Sequence, residues 1–598
     1  MKKIILLIVL IIFLSSSFIT VANNAENNNN MISEVIDISE PYFIETGNNL
    51  IIFLNESNSN LFYPRKPQLP IISKTYSFPL GTKIKNIEIL CDYNFYKLNK
   101  KIKQCSNITY NKFDFQDKIT NQIQNDNGYY PDKSIIINTG GGLSNNKHVI
   151  YFSIQIIPQY NQENDSLKLP NKIKIFIEYE TPKICNYPSS FDLLIISPQE
   201  FYNEIQPLID HKIQKNLRVL YVPIEEIYDL YDGFDKPEKI KKYIFDTAIS
   251  NDIKNLLLIG SKNKIPMRTV FWNMDGKKID MLVDLYYSDF FDANGSYCSW
   301  DANGNNIYGE KNDNLDYYPD INLGRLPCDS LDEVKIVVDK IINYENSVAG
   351  SEWFSTMILM AGDTFPEDTF PDAFGREGEN LTIDIMNIMD DFHHSIIWTS
   401  KGNFNRKTIS NEINKGAGFI FYAGHGFPNG ICPDGGSNDR SIHYYNRYIN
   451  DLENQYRLPI IFLEACSTAK LDFNLVELIK SYLGRKVANF LSSFINFNED
   501  MLFPCLAWNF VKYKNGGAIA TIGSTQYIMS SGYDSGGCMN PPRYFFSSYN
   551  YCDSLGQMHT EMINKNILDI PTDVLAAYTI EEHILIGDPS LIIGRYSI

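Results

Sequence analysis

The sequence predicts an α/β protein: parallel sheets flanked by helices in two subdomains, preceded by an all-β domain. Three observations predict it. Short β-type runs alternate with turn residues as far as about Tyr187. From "FDLLIISPQEF" onward, strand and helix patterns alternate with short connections, as in a parallel sheet covered on both faces. In the C-terminal half, four apolar runs of strand length each end in a polar, chemically useful residue.

At 598 residues and 44% hydrophobic composition, the chain buries several cores, three or four domains at roughly 100–200 residues each. The expected division is 1–22, 23–187, 188–350 with a polar insert at 292–320, and 351–598. The 53 basic and 71 acidic residues give a net charge of −18, which repels polyanions and excludes nucleic acid as the main partner.

The first element, "MKKIILLIVLIIFLSSSFITVANN", runs from Lys2 and Lys3 through an apolar core to small residues. That is the order of a secretory signal cleaved after Ala22, and it implies a secreted or cell-surface protein whose mature chain has no membrane span. A retained N-terminal anchor is the other reading. Ten cysteines without a C-x-x-C pair make neither a disulfide scaffold nor a zinc site.

In the all-β domain, "HVIYFSIQIIPQY" and "NKIKIFIEYE" read as an antiparallel hairpin. The first α/β block then holds a strand at Leu193 to Ser197, a helix to about Gln214, the strand "LRVLYVP", a helix from Pro237 to about Ser250, and the strand "NLLLIG". After the insert come the strand "INLGRLP" and a helix near Leu331 to Asn346. The second block holds the four runs: "TMILMAGD" ending at Asp363, "GFIFYAGH" at His425, "PIIFLEAC" at Cys466 and "GAIATIGS" at Ser524. Ligands bind at the carboxyl ends of strands in open parallel sheets, so these four residues belong on one edge.

A cysteine nucleophile needs a base, oxyanion donors and a group that orients the base. His425 supplies the base, Asp363 an orienting carboxylate, and the N–H groups of Gly426 and Cys466 the donors; the flanking glycines let backbone approach a substrate carbonyl. A buried cysteine and a core histidine are the alternative reading of the pair taken alone.

"YAGHG" followed by "EACS" resembles the catalytic signature of the gingipain-like cysteine peptidases, relatives of the caspases and legumains. "NLLLIGSKNKIP", "DLYYSDF", "YPDINLGRLP" and "LIGDPSL" are similar to further landmarks of that family in the same order, over roughly Ser190 to Leu591. "RKPQLPIISKTYSFPLGTKIKNIEI" is similar to its β-rich propeptide. The resemblance implies a caspase-like fold, Cys466 as nucleophile, His425 as catalytic histidine, Asp363 as the acidic third member and Gly426 at the oxyanion position. After the nucleophile this chain has Ala469 and Leu471 where the family pattern has glycine and an aromatic.

The resemblance further implies cleavage after basic residues when an acidic side chain lines the first pocket. Glu377, Glu379 and Asp534 are the acidic residues placed for that, and Ser524 joins them as a substrate-binding residue. In the insert, Asp301, Asn303 and Asn305 at alternate positions, with Glu310, Asp313 and Asp316 downstream, supply hard oxygen ligands suited to structural calcium, although the spacing is not that of an EF-hand. A solvated polar turn is the other reading. No organic cofactor is expected. The expected function is a secreted cysteine endopeptidase, made as a precursor with its own propeptide as partner and acting on protein or peptide through a thioester. A sortase-like transpeptidase of the same fold and an inactive peptide-binding surface protein are the alternatives.

Overall fold

The computed structural model describes residues 20–21, 30–61, 63, 66–105, 109–110, 113–114, 128–182, 191–274, 277–364, 375–434, 440–483, 502–528, 540–569 and 574–594. Of the signal segment, only Thr20 and Val21 are described, running parallel to Tyr76 and Ser77; the rest of that expectation lies outside the described residues. Among the described residues no helix is long and apolar enough to cross a membrane.

The N-terminal region is all β. Its long strands are β1 (Leu69–Pro79), β2 (Lys83–Lys97), β3 (Ile135–Ser144), β4 (Lys147–Ile156) and β5 (Ser166–Glu180). The expected hairpin between β4 and β5 is confined to Gln159–Asn161 against Ser166–Lys168. Beyond it the strands part: β4 lies between β1 and β3, while β5 pairs with β2. Burial shows why. Every residue of β4 from Val149 to Ile156 is buried, so it needs cover on both faces, whereas β5 alternates along much of its length and needs only one. Tyr76, Phe152, Ile154, Ile173 and Ile175 from the two sheets share one core.

The α/β region begins with β6 (Leu193–Ser197), α1 (Tyr202–Gln214), β7 (Val219–Pro223), α2 (Lys236–Asn251) and β8 (Asn255–Ile259). Helix α2 starts where Asp235 accepts the Glu238 N–H at 3.0 Å and ends at Asp252, which adopts a left-handed φ of 52°. A hairpin that the sequence pattern did not reveal follows, β9 (Arg268–Met274) with β10 (Lys277–Val283). Then come β11 (Asn322–Leu326) and α3 (Leu331–Ser347), capped by Ser330.

The second block contributes β12 (Thr356–Ala361), α4 (Glu377–Ile388), β13 (His393–Trp398), β14 (Phe419–Ala423), the short strands β15 (His425–Phe427) and β16 (Gly430–Cys432), and β17 (Ile460–Glu464). It closes with β18 (Ala520–Ser524), α5 (Leu555–Asp569), α6 (Val574–Glu582) and β19 (His583–Ile586).

The two blocks share one ten-stranded sheet, in the order β7-β6-β8-β11-β19-β18-β17-β14-β12-β13. The last strand joins them: β19 runs parallel to β11 through Arg325↔Ile586 and antiparallel to β18 through Ser524↔His583. All other neighbours in the sheet are parallel. The halves therefore run in opposite directions, and the carboxyl ends of β12, β14, β17 and β18 share an edge with the amino ends of β6, β8, β11 and β19. One hydrophobic core spans both halves.

The β region docks on that same edge, over the first half. His148 approaches Lys254 Nζ and the Asp320 carbonyl at 3.1 and 2.8 Å. Asn322 donates to Asn146 at 3.1 Å, Asp316 accepts the Gly141 N–H at 2.9 Å, and Tyr151 stacks on Tyr318 with centroids 4.8 Å apart. Helix α5 adds Asn564 donating to the Leu143 carbonyl at 2.9 Å.

Candidate active site

Strands β14 and β17 are in register at Ala423↔Glu464, so the next residues, Gly424–His425 and Ala465–Cys466, leave the sheet side by side. All five residues of each strand are buried, which makes the strand ends rigid supports. Asp363 follows β12 and Ser524 ends β18, so the four expected residues do share one edge.

Two glycines let the histidine loop fit. A Cβ at Gly424 would lie 2.5 Å from Tyr422 Oη, and one at Gly426 would lie 2.7 Å from both the Cys466 carbonyl oxygen and Ala465 Cβ. Tyr422 donates to the His425 carbonyl at 2.8 Å. His425 Nε2 lies 2.8 Å from the Thr364 carbonyl oxygen. A carbonyl only accepts, so Nε2 carries the proton and Nδ1 the lone pair a base requires. The ring is thus held by backbone one residue beyond Asp363. The Asp363 N–H itself donates to Asp434 Oδ1 at 2.9 Å.

Burial lowers the His425 pKa, opposed by the Thr364 carbonyl and the Asp434 carboxylate. Burial pushes the Cys466 thiol up to about 12, and the carboxyls of Glu582 and Glu464, where ionised, add to the effect. The resting pair is therefore neutral thiol and neutral imidazole, and the thiolate forms as the proton passes to the histidine. Immediately after Cys466 the chain reverses at Ser467, whose φ of +56° is left-handed. Such a conformation costs a non-glycine residue about 1–2 kcal/mol. The Ser467 N–H offsets this by donating to the Gln526 carbonyl at 2.6 Å. Ala469, buried, donates its N–H to the Ser524 carbonyl at 2.9 Å, and Leu471 is buried too.

The acidic residues separate. Glu379 is committed to the chain after β13: it accepts from Ser400 Oγ at 2.6 Å and from the Ser400 N–H at 3.0 Å. Glu377 opens α4 and is 6% exposed. The next residue places this helix end: a Cβ at Gly378 would meet the carbonyls of Ala423 and Gly362 at 2.8 and 2.9 Å, so α4 begins at the carboxyl ends of β14 and β12. Ser524 is fully buried, with its hydroxyl against Glu582 and Gln526. It belongs to the support behind Cys466, not to a pocket wall. Asp534 lies outside the described residues.

In the insert, Asp301, Asn303, Asn305, Glu310 and Asp313 come together and Asp316 does not. Asp301 accepts the Asn305 and Asn306 N–H groups at 2.9 and 3.0 Å, Asp313 those of Ala302 and Glu310, and the amides of Asn303 and Asn305 donate to Glu310. Asp316 instead meets the β region at Gly141. Among the described residues no group of three or more His, Cys, Asp or Glu side chains is gathered tightly enough to hold a metal ion.

Sequence reasoning missed Tyr422, Thr364, Asp434 and Glu582. Asp434 follows β16, which pairs Cys432 with His425, and "CPDGG" is a turn signal that hinted at a chain reversal there. Nothing local marked Glu582, which lies more than a hundred residues from Cys466.

An α/β sheet that presents a histidine and a cysteine at the ends of adjoining strands is the arrangement of the caspase-like cysteine peptidases. The chain belongs to peptidase family C25, whose sequence model matches residues 186–593. It is 22% identical over 309 residues to gingipain R2 of Porphyromonas gingivalis; the match covers 50% of this chain and 36% of that relative's length. A protein of Archaeoglobus fulgidus described as uncharacterized is 24% identical over 198 residues, covering 31% of this chain and 45% of its own. Among solved structures, the Arg-specific cysteine proteinase gingipain R aligns with a TM-score of 0.49 and 18% identity over 69% of this chain and 80% of that one. The complex of pro- and mature domains from Porphyromonas gingivalis aligns with a TM-score of 0.49 and 18% identity over 67% and 79%. The chain thus matches about a third of the length of the gingipain relative named first.

Proposed function

We propose that the chain is a cysteine endopeptidase that cleaves peptide bonds through a thioester on Cys466. The observation that supports this most is the side-by-side exit of His425 and Cys466 from β14 and β17, with Gly426 against the Cys466 backbone. In the proposed reaction His425 Nδ1 takes the thiol proton as sulfur attacks the substrate carbonyl carbon. The N–H groups of Gly426 and Cys466 face the oxyanion, and the histidine returns the proton to the leaving amine. Water, with its proton taken by His425, then displaces the thiolate and releases the acid. Asp363 is proposed as the acidic member of the site, acting beside the Thr364 carbonyl that holds the ring.

Preference for a basic residue before the cleaved bond is part of the proposal, with Glu377 favoured because it opens α4 at the carboxyl ends of β12 and β14. The chain is further proposed to be exported and made as a precursor, its β region restricting the crevice from the edge they share. Structural calcium at Asp301, Asn303, Asn305, Glu310 and Asp313 is proposed on the clustering of oxygen atoms; binding requires those atoms to exchange backbone N–H partners for the ion.

The test is turnover of a peptide library by the native chain and by Cys466→Ala, with products read by mass spectrometry. Hydrolysis gives free acids. New amide products on adding an amine nucleophile would favour the transpeptidase reading, and an inert native chain would favour the binding protein.

A further inference from the structure

Behind Cys466 lies a buried cluster that the reaction above does not use: Glu464 at the end of β17, Ser524 at the end of β18, Glu582 at the end of α6 and His583 at the start of β19. All but Glu464, which is 6% exposed, are fully or almost fully buried. His583 Nδ1 lies 2.8 Å from the Thr579 carbonyl, and its Nε2 lies 3.4 Å from Glu464 Oε2. Glu464 and His583 are therefore a cation–carboxylate pair. Burial works against charge on His583, but the Glu464 carboxylate, with smaller contributions from Glu582 where ionised and from the Thr579 carbonyl, outweighs it and leaves the imidazole up at about 9.

Glu582 has no such cation to itself, and the atoms around Ser524 show in which form it exists. Ser524 Oγ is 2.7 Å from the Gln526 carbonyl oxygen, 2.7 Å from Glu582 Oε2 and 3.1 Å from the Gln526 N–H nitrogen. A hydroxyl has one hydrogen, and a carbonyl oxygen never donates. The Ser524 hydrogen must go to Gln526, so the short contact with Glu582 is a hydrogen bond only if Glu582 brings the proton. An ionised Glu582 would set two electron-rich oxygens against each other at 2.7 Å.

We propose that Glu582 is a positioning residue held as a neutral carboxylic acid, donating its proton to Ser524 so that the turn behind the nucleophile is fixed without a negative charge facing Cys466. The turn matters because it carries the nucleophile loop. Gln526 O accepts the Ser467 N–H at 2.6 Å, Ser524 O accepts the Ala469 N–H at 2.9 Å, and the Cys466 thiol faces the Ile528 carbonyl at 3.8 Å. The Thr525 N–H donates back to the Glu582 carbonyl at 2.9 Å. Burial, partly countered by His583, raises the Glu582 acid to about 8, in agreement with the hydrogen-bond count. The charged and titratable groups facing it are His583 and Glu464 from the neighbouring strands, Tyr578 from its own helix and Cys466 itself; His559 of α5 faces His583 behind them.

This inference rests on Cys466 being the nucleophile, and its test reads the thiol alone, so it stands or falls separately from peptide cleavage. The rate of alkylation of Cys466 in the full chain is measured against pH for the wild type and for Glu582→Gln, whose amide keeps the donor and cannot ionise. If Glu582 is a neutral acid that ionises near pH 8, the ratio of variant to wild-type rate climbs on the order of tenfold between about pH 6.5 and about pH 9.5, one pKa unit on the thiol. A ratio constant across that range overturns the proposal, because it means the charge on residue 582 does not change there. Should Glu582→Gln not fold, Ser524→Ala gives the same decision: loss of the proton acceptor moves the bend in the alkylation profile, whereas a bend at the wild-type pH contradicts the proposal. Thiol alkylation with the expected ratio in a chain that cleaves no peptide would defeat the peptidase reading and leave this one intact.

Discussion

Gly426 and Cys466 are in backbone contact: a Cβ on residue 426 would come within 2.7 Å of the Cys466 carbonyl oxygen. The histidine loop and the nucleophile loop are therefore one packed unit, and a change in one displaces the other. Gly426→Ala is expected to lower the rate of Cys466 acylation by at least about tenfold, since misplacing one oxyanion donor costs 10²–10³ at the upper end. Pre-steady-state acylation, with circular dichroism to confirm the fold, checks it; an unchanged rate would show that the contact has no part in the chemistry.

His425 and Cys466 are expected to act as one. His425→Ala should cost nearly as much turnover as Cys466→Ala, and the double variant little more than either, because groups that work as a unit are not additive. The comparison is of kcat/KM for the three variants. A double variant far below both singles would mean that the residues contribute independently.

Glu377 and Glu379, two residues apart, should part company on substitution. Glu379→Ala removes the acceptor of the Ser400 side chain and N–H and is expected to cost about 1.5–3 kcal/mol of stability, the range for hydrogen bonds to a charged group, read from denaturant unfolding. Glu377→Gln should instead lower kcat/KM for basic residues before the cleaved bond by more than it lowers kcat/KM for other residues there. The opposite assignment of effects would move the pocket to the other carboxylate.

Much of this architecture was legible because buried parallel strands announce themselves. "FIFYA" and "IIFLE" are apolar apart from the Tyr422 hydroxyl and Glu464, and both are fully buried in the sheet. The helix read from Pro237 to about Ser250 lies within a residue or two of Lys236–Asn251. What could not be read was long-range: "HILI" is four residues long, and nothing in it says that it separates two half-sheets and sets them running in opposite directions. The hairpin β9–β10 was hidden for a local reason: its apolar runs are only three residues long, Val270–Trp272 and Met281–Val283, and Arg268, Lys277, Lys278 and Asp280 flank or interrupt them. At the site, His425 and Cys466 were visible from strand-end placement and the resemblance. The partner of His425 was not, because a backbone carbonyl has no signature in the sequence.

The β region touches the amino ends of β8 and β11, on the edge that also carries Cys466. Its removal after Tyr187 is expected to raise the rate at which a bulky thiol reagent labels Cys466. Equal rates before and after removal would leave the region a folding aid with no hold on the crevice.

Calcium is expected to raise the thermal unfolding midpoint, by an increment worth about 2.7 kcal/mol at one hundred times Kd, and a chelator to lower it. Asp301→Ala should abolish most of that response; a melting curve indifferent to chelator would leave the insert as a polar turn held by its own Asp301 and Asp313 caps.

Acyl transfer is expected to depend on one thiol, that of Cys466. Incubating the native chain and Cys466→Ala with the same peptide library, and counting cleaved bonds by mass spectrometry, tests it most directly. Cleavage is expected from the first and none from the second, with both retaining the same circular dichroism spectrum. Cleavage by Cys466→Ala at the wild-type rate would contradict it.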